Sequence, residues 1–544
     1  MFNTMKKYSL LILILFSVIG LKAQNPFSMR GVFGLATIDD QVWGQFALRP
    51  TLDIWKFKFG LDIVMYIDQN GKIHQDEWDF SNGTAIKNTL LDKIYFIQYG
   101  TRYEPVYIRA GALERTTLGY GILVNRYSNT FNYPQYRKIG LEAKLQSKNI
   151  SLQAFVNNFK ENASVVGARV SSVIPAGLHL GISAVTDQNQ FLGLQDRDYD
   201  GRPDLVDNFP NDDNYWVNSD IGTDYPDDLA DSHPSEYDRD GDGLIDVYNL
   251  DEIHKYWDSL PVGSFNPAFY DSLPDTDIRL KNEPINILDN PKPISAIAID
   301  LSISIIQNKV SSLSIYSQIA KMIGETVDPE TDENIELGYG FAPIGVFNRF
   351  GIFSWQVEYR IIPDGRFDFE YWDRAYEHNR ASITSVENNG VTSIIVKPKS
   401  NYLGEFGTLR GFYVRADIDI NEYFLISATY QNMFGEKWDR DSGVNGAFEF
   451  QTIESFLASA ELTQPMGYFE SASAFYQQRN VPNPFKFEPT ESTIMGFSIG
   501  AKIGWGMILN YSFKRSFLDK NGDGDVLDKD ESINMSLLET SFGF

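Results

Sequence analysis

The chain ends on Ser532–Phe544, SINMSLLETSFGF, and this stretch decides how the rest is read. Ser536, Leu538, Thr540, Phe542 and Phe544 fall on one face of an extended strand. No turn residue interrupts the alternation before Gly543, and the chain stops on an aromatic ring. A soluble domain has no use for such an end. A transmembrane β-barrel does, because its last strand must pair with its first and aromatics settle at the membrane–water interface.

Composition agrees. Of 544 residues 14% are aromatic, yet mean hydropathy is only −0.27, and past the N-terminus no apolar run is long enough for a spanning helix. Alternating strands with an apolar lipid face and a polar lumen face give that mixture. The absence of cysteine excludes disulfides, thiolate metal sites and a lipid-anchored N-terminal Cys. A formal charge of −26 excludes a general nucleic-acid binder, which needs a basic surface to displace counterions. The acidity is concentrated: residues 187–292 hold 26 acidic and 7 basic side chains, a net −19, leaving −7 for everything else.

Met1–Ala23 reads as an export signal: Lys6 and Lys7, the apolar run Leu10–Leu21, then Leu21-Lys22-Ala23 before Gln24. From Gln24 onward, twenty segments alternate with period two, near 28–38, 42–53, 56–67, 91–100, 105–113, 136–146, 150–157, 165–174, 178–187, 294–306, 310–321, 338–346, 350–362, 409–420, 423–433, 453–463, 468–478, 494–503, 505–515 and 533–544. In one of them Ile297, Ile299, Leu301, Ile303 and Ile305 alternate with Ala298, Asp300, Ser302 and Ser304. Connections sort by parity. Even-to-odd links such as 147–149, 175–177 and 307–309 are short, whereas odd-to-even links such as 68–90, 114–135, 188–293 and 363–408 are long. A barrel with short periplasmic turns and long outer loops sorts its links in this way. The expected fold is all-β: a transmembrane antiparallel barrel of about twenty strands (about 16 to 22) with a large acidic extracellular insert. The expected organisation is a signal peptide over 1–23, strands 1–9 over 24–187, the insert over 188–293 and strands 10–20 over 294–544.

The ending resembles the C-terminal recognition strand of Gram-negative outer-membrane β-barrel proteins, and the whole is similar to porins. That resemblance implies residence in the cell outer membrane, amid its lipid and lipopolysaccharide. It also implies reading of Phe544 by the barrel-insertion machinery. A homo-oligomer is left open.

Three loops open with Asp or Asn at every second position and continue into further acids: Asp196, Asp198 and Asp200, then Asp204 and Asp207; Asp238, Asp240 and Asp242, then Asp246; and Asp519, Asn521 and Asp523, then Asp530. A hard cation needs six to eight oxygens, and alternate carboxylates in a tight turn deliver three, with a following Gly to permit the bend. The loops resemble thrombospondin type 3 and dockerin-like calcium repeats, which implies structural calcium. A solvated acidic loop is the other way to account for them.

The third outward loop, 114–135 (ERTTLGYGILVNRYSNTFNYPQ), counted after the short 39–41 and the long 68–90, is more apolar and aromatic than an exposed loop should be. The third loop of general porins folds inward, and that likeness makes Glu114, Arg115, Tyr120, Arg126 and Tyr127 constriction candidates; strand extensions above the membrane are the alternative. By parity Lys58, Arg109, Lys138, Lys144, Arg169, Arg360, Arg415, Lys502 and Lys514 face the lumen against Asp62, Glu142, Asp300, Glu358 and Asp417. Of these, Arg109, Lys138, Arg360 and Arg415 join the constriction candidates. One enzyme-like motif, Gly496-Phe-Ser498-Ile-Gly500, lies inside an alternating strand rather than at the strained strand-to-helix turn it requires, so no enzyme is expected. Two functions fit. One is a passive or substrate-selective channel for small solutes, since barrels of 16 to 18 strands already enclose water. The other is a surface binding or adhesive protein that uses the barrel to mount the insert.

Overall fold

The computed structural model describes residues 27–38, 41–74, 78–80, 83–102, 104–133, 137–207, 210, 285–308, 310–388, 391–420, 423–440, 442–443, 446–462, 464–504, 506–521, 525–528 and 531–543. The expected export signal over 1–23, residues 211–284 of the insert and Phe544 lie outside these described residues.

Twenty strands form one closed antiparallel sheet: β1 (Phe27–Ile38), β2 (Gln41–Ile54), β3 (segments Phe57–Leu61 and Ile63–Ile67), β4 (Ile94–Tyr99), β5 (Val106–Gly111), β6 (Gly140–Gln146), β7 (Ile150–Val156), β8 (Val165–Ile174), β9 (Leu178–Asp187), β10 (Ile294–Gln307), β11 (Ser311–Ile323), β12 (Tyr339–Phe350), β13 (Phe353–Ile362), β14 (Phe406–Ile420), β15 (Phe424–Asp439), β16 (Ala447–Leu462), β17 (Phe469–Val481), β18 (Ile494–Gly504), β19 (Met507–Phe517) and β20 (Ser532–Gly543). Each pairs with its sequence neighbours, and β20 closes the ring on β1 from Arg30↔Gly543 to Ala36↔Leu537. Closure lets the first and last strands satisfy each other's ladder groups, as lipid demands. Phe542 stacks on Phe33 across the seam, centroids 5.7 Å apart.

The side chains follow the pleat. On β10, Ile297, Ile299, Leu301 and Ile303 point outward and are exposed on the barrel exterior, while Ala296, Ala298, Asp300 and Ser302 are buried within. An apolar exterior around a polar interior is a membrane barrel's distribution, and it makes this an outer-membrane type of barrel. Parity of the connections holds as well. Even-to-odd links are short, among them the 3₁₀ turn Pro175–Gly177, and the long links gather at the other end.

Two local features depart from the sequence reading. Strand β6 begins at Gly140, so Lys138 belongs to the returning end of the third outward loop and not to the wall. The loop between β3 and β4 contains a helix, Gly83–Asp92, before the strand starts at Ile94.

Candidate solute path in the lumen

Two long loops turn inward. In loop 112–139, Leu113, Leu118, Ile122, Leu123, Val124 and Tyr127 are buried; in loop 363–405, Phe367, Phe369, Tyr371, Trp372 and Tyr376 are buried against them. Their backbones meet in a parallel bridge between Val124 and Trp372. Trp372 N donates to Leu123 O and Asn125 N to Trp372 O, both at 3.1 Å, and Glu370 N donates to Ile122 O at 2.9 Å. These bonds satisfy backbone groups of irregular chain that sits inside the barrel. The apolar excess of loop 112–139 marks this inward fold, and strand extension is not what forms. Loop 363–405 was read as an outer loop only. Its alternation of Phe367, Phe369 and Tyr371 with Asp368 and Glu370 carries the same signal.

Charged side chains fasten the loops to the wall. Arg115 pairs with Glu461 of β16 at 2.9 Å. Tyr120 stacks on Tyr316 of β11 at 3.9 Å and 3°, and its carbonyl accepts from Gln356 Nε2 at 3.2 Å. Arg126 donates to Asp417 at 2.9 Å and to Ser427 Oγ. Burial, with Arg415 close by, brings the Arg126 guanidinium down to about 10. Arg415 pairs with the same Asp417 at 2.9 Å. Arg360, buried over the Tyr413 ring at 3.6 Å, bridges Glu358 at 2.7 Å and Glu370 at 3.1 Å. Arg109 donates to Gln98 Oε1 at 3.1 Å. Lys514 donates to three loop carbonyls, Thr130 and Phe131 at 2.8 Å and Tyr133 at 3.0 Å.

Other wall charges pair locally. Arg169 forks onto Asp300 at 2.7 and 2.9 Å, lying across Gly181, where a Cβ would stand 2.0 Å from Arg169 Nη1. Asp62 takes Arg49 and Arg137, each at 2.9 Å, and Glu142 takes Arg102 at 3.0 Å. Lys58 and Lys502 sit half-exposed near Asp53 and Glu470.

A buried network joins the inward loops to β9. Arg380 binds Asp187 through Nε at 2.6 Å and Nη2 at 2.7 Å, and Glu161 through Nη1 at 2.8 Å. Lys138 pairs with Glu161 at 2.7 Å and Glu377 at 2.6 Å, and Tyr127 donates its hydroxyl to Glu377. Against the cost of burial, Lys138 and Arg380 hold Glu161 well below the usual carboxylate range. Arg380, Asp187, Glu161, Glu377 and Arg479 escaped the sequence reading because they lie on two loops and two strands that only closure brings together.

The insert's root belongs to the same structure. Gln190 accepts from Tyr371 Oη at 2.8 Å and from Ser400 N at 2.9 Å, and Asn189 Nδ2 donates to Ile287 O at 2.8 Å. Beyond it Asp196, Asp198 and Asp200 bring carboxylate oxygens within 4.8 Å of one another. Burial and the neighbouring Asp198 and Asp200 push the Asp196 carboxyl up to about 8. Asp204 pairs with Arg197 at 3.1 Å, and Asp207 is buried nearby. Asp238, Asp240, Asp242 and Asp246 lie outside the described residues, as do Asp523 and Asp530. In that third loop Asn521 donates to Asp528 at 3.4 Å, and the Asp519 carbonyl accepts from Thr384. Glu531, next to Asp530, accepts from Lys520 N at 3.1 Å.

Space remains on both sides of loop 112–139. A cavity of about 290 Å³ lies against β2, β4, β19 and β20, lined among others by Arg49, Glu114, Tyr133, Arg137, Lys514 and Glu539. A smaller one of about 30 Å³, lined by Arg126, Glu370 and Arg479, lies against β14–β17. Ser498 of the enzyme-like motif sits in regular β18, accepting from Ser512 Oγ at 2.8 Å.

No protein-family model and no curated protein matches the chain. Among solved structures it is similar to CdiB from Acinetobacter baumannii (7% identity, TM-score 0.24, 96% of this chain and 61% of that one). It is also similar to the outer membrane protein OprD from Pseudomonas aeruginosa (8%, 0.29, 95% and 92%) and the FrpB iron transporter from Neisseria meningitidis (7%, 0.34, 96% and 82%). The chain thus spans less than two thirds of the length of CdiB. At such scores the likeness carries no argument, and the barrel stands on its own strand pairing.

Proposed function

We propose that this protein is an outer-membrane channel for small solutes, porin-like and made selective by its two inward loops. The observation that carries this is the interior: a polar wall of twenty strands, narrowed by loops 112–139 and 363–405, with a 290 Å³ cavity left beside the first of them. Solute then passes between loop 112–139 and the β2, β4, β19 and β20 wall, the roomier side, with Glu114, Arg137 and Lys514 along its path. Arg115, Tyr120, Arg126 and Tyr127 shape the constriction by anchoring the loop rather than by facing solute. Single-channel recording of the purified barrel in planar bilayers tests this; a sealed barrel ends it.

A second, compatible role belongs to the insert. We propose that Asp196, Asp198 and Asp200, with Asp204 and Asp207 beside them, hold a structural calcium ion. Their crowded carboxylates and the left-handed Gly201 at φ +92 support that reading.

A further inference from the structure

We infer that the 290 Å³ cavity binds a small zwitterion, a carboxylate and an ammonium on one compact frame, as in a free amino acid. This deepens the channel reading and rests on it. Six charged side chains line the cavity: Arg49, Arg137, Lys138 and Lys514 against Glu114 and Glu539. Three are already satisfied by partners. Arg49 and Glu539 meet at 2.8 Å, and Lys138 is held by Glu161 and Glu377.

The other three are not fully satisfied. Lys514 spends all three protons on neutral carbonyls, and among the described residues no carboxylate lies within ion-pair distance of it. In its ammonium form it leaves a positive charge uncompensated beside the cavity. Arg137 uses only Nη1, on Asp62 Oδ2 at 2.9 Å and Asp92 O at 3.0 Å, leaving Nε and Nη2 as the planar pair of donors that fits a carboxylate. Its guanidinium lies 5.8 Å and 5.9 Å from the Tyr95 and Tyr133 rings, which orient it. Glu114 is exposed to the cavity and forms no ion pair among the described residues. A simple anion would face the Glu114 carboxylate uncompensated, and a simple cation would face Arg137 and Lys514. A ligand carrying both charges meets both, while Ala112, Met535 and Leu537 offer apolar surface for its side chain.

Calorimetry on the detergent-purified barrel tests this with three probes of one frame: L-phenylalanine, its N-acetyl derivative (anion) and its amide (cation). The zwitterion is expected to bind about tenfold more tightly than either, the scale of one unpaired charge. Glu114→Gln should erase the preference over the acetylated anion, and Lys514→Met the preference over the amide, with heat-modifiable gel migration confirming folding of both variants. Equal binding of the anion and the zwitterion overturns the proposal, and so does absence of heat with all three probes. Conduction is measured separately: a conducting barrel that binds none of the probes leaves the channel standing and removes this site, and a sealed barrel that binds does the reverse.

Discussion

Arg380 and Asp187 form a two-pronged ion pair, at 2.6 and 2.7 Å, from which solvent is wholly excluded. Asp187 is the last residue of β9, where the insert leaves the barrel, and Arg380 follows the one-turn helix Tyr376–Asn379 of the inward loop. The pair fastens the lumen filling to the insert's root. Glu161 and Glu377 also face the guanidinium, and Lys138 pairs with both, so two cations meet three carboxylates in this buried cluster.

Arg380→Ala should therefore release loop 363–405 while leaving the barrel intact. Removing one partner of a buried pair costs about 3–5 kcal/mol, because the other charges stay buried and unpaired. The cost falls on the loop, since strand pairing does not involve Arg380. Larger, noisier single-channel currents and new protease cleavage within 363–380 are expected, with unchanged heat-modifiable migration. Wild-type currents and a resistant loop would show that the apolar cluster around Trp372 holds it alone.

Acid should loosen the same loop through His378. Burial depresses its imidazole to about 4, and it packs against the Phe131 ring at 5.1 Å. Released, the side chain would titrate near about 6.5, so the loosened state binds the extra proton between those values. Packing of the loop is thus fully stable above about pH 6.5 and weakens as pH falls toward about 4. Open-channel current should rise over that window, and His378→Phe should flatten the dependence. A His378→Phe variant with the wild-type pH profile would assign the effect to other groups.

The barrel was legible in the sequence because lipid allows so few solutions. Ile297 to Ile305 could alternate with Ala298 to Ser304 only on a wall wet on one side, and all twenty segments recur as strands. Glu114, Tyr120 and Arg126 were visible as oddities of an overly apolar loop, but their partners were not. Arg126 meets Asp417, 291 positions away, and nothing local in either stretch encodes that contact. Lys138 shows the opposite error: alternation continued past the true strand edge at Gly140, and Lys138 lies in the loop, paired with Glu377.

Selectivity among inorganic ions should be weak, since the wall's excess of bases is largely cancelled in place. Arg169 with Asp300, Arg360 with Glu358, and Arg415 with Asp417 each leave little field for a passing ion. Reversal potentials in a salt gradient should lie near zero. Asp417 serves two guanidiniums, Arg126 and Arg415, but it lies on β14, across loop 112–139 from the proposed path, so Asp417→Asn should leave the reversal potential near zero. A shift toward anion preference would place the constriction beside this cluster instead.

Calcium should order the insert without holding the barrel together, because the two are stabilised by different forces. The strands satisfy their backbone by closed pairing, which needs no metal. The insert has a net −19 over residues 187–292 and repels itself unless cations intervene. At its root the Asp196, Asp198 and Asp200 carboxylates already crowd within 4.8 Å, and a bound dication would turn that repulsion into attraction. Chelation should therefore increase proteolysis between 188 and 293 and leave the barrel's heat-modifiable migration unchanged, and Asp198→Ala should reproduce the chelated pattern in the presence of calcium. Terbium luminescence, excited through nearby aromatic side chains, should saturate in the wild type and fall in Asp198→Ala. If the insert resists protease equally with and without chelator, the alternate aspartates are solvated acidity, and Gln190 and Arg380 alone fix the root.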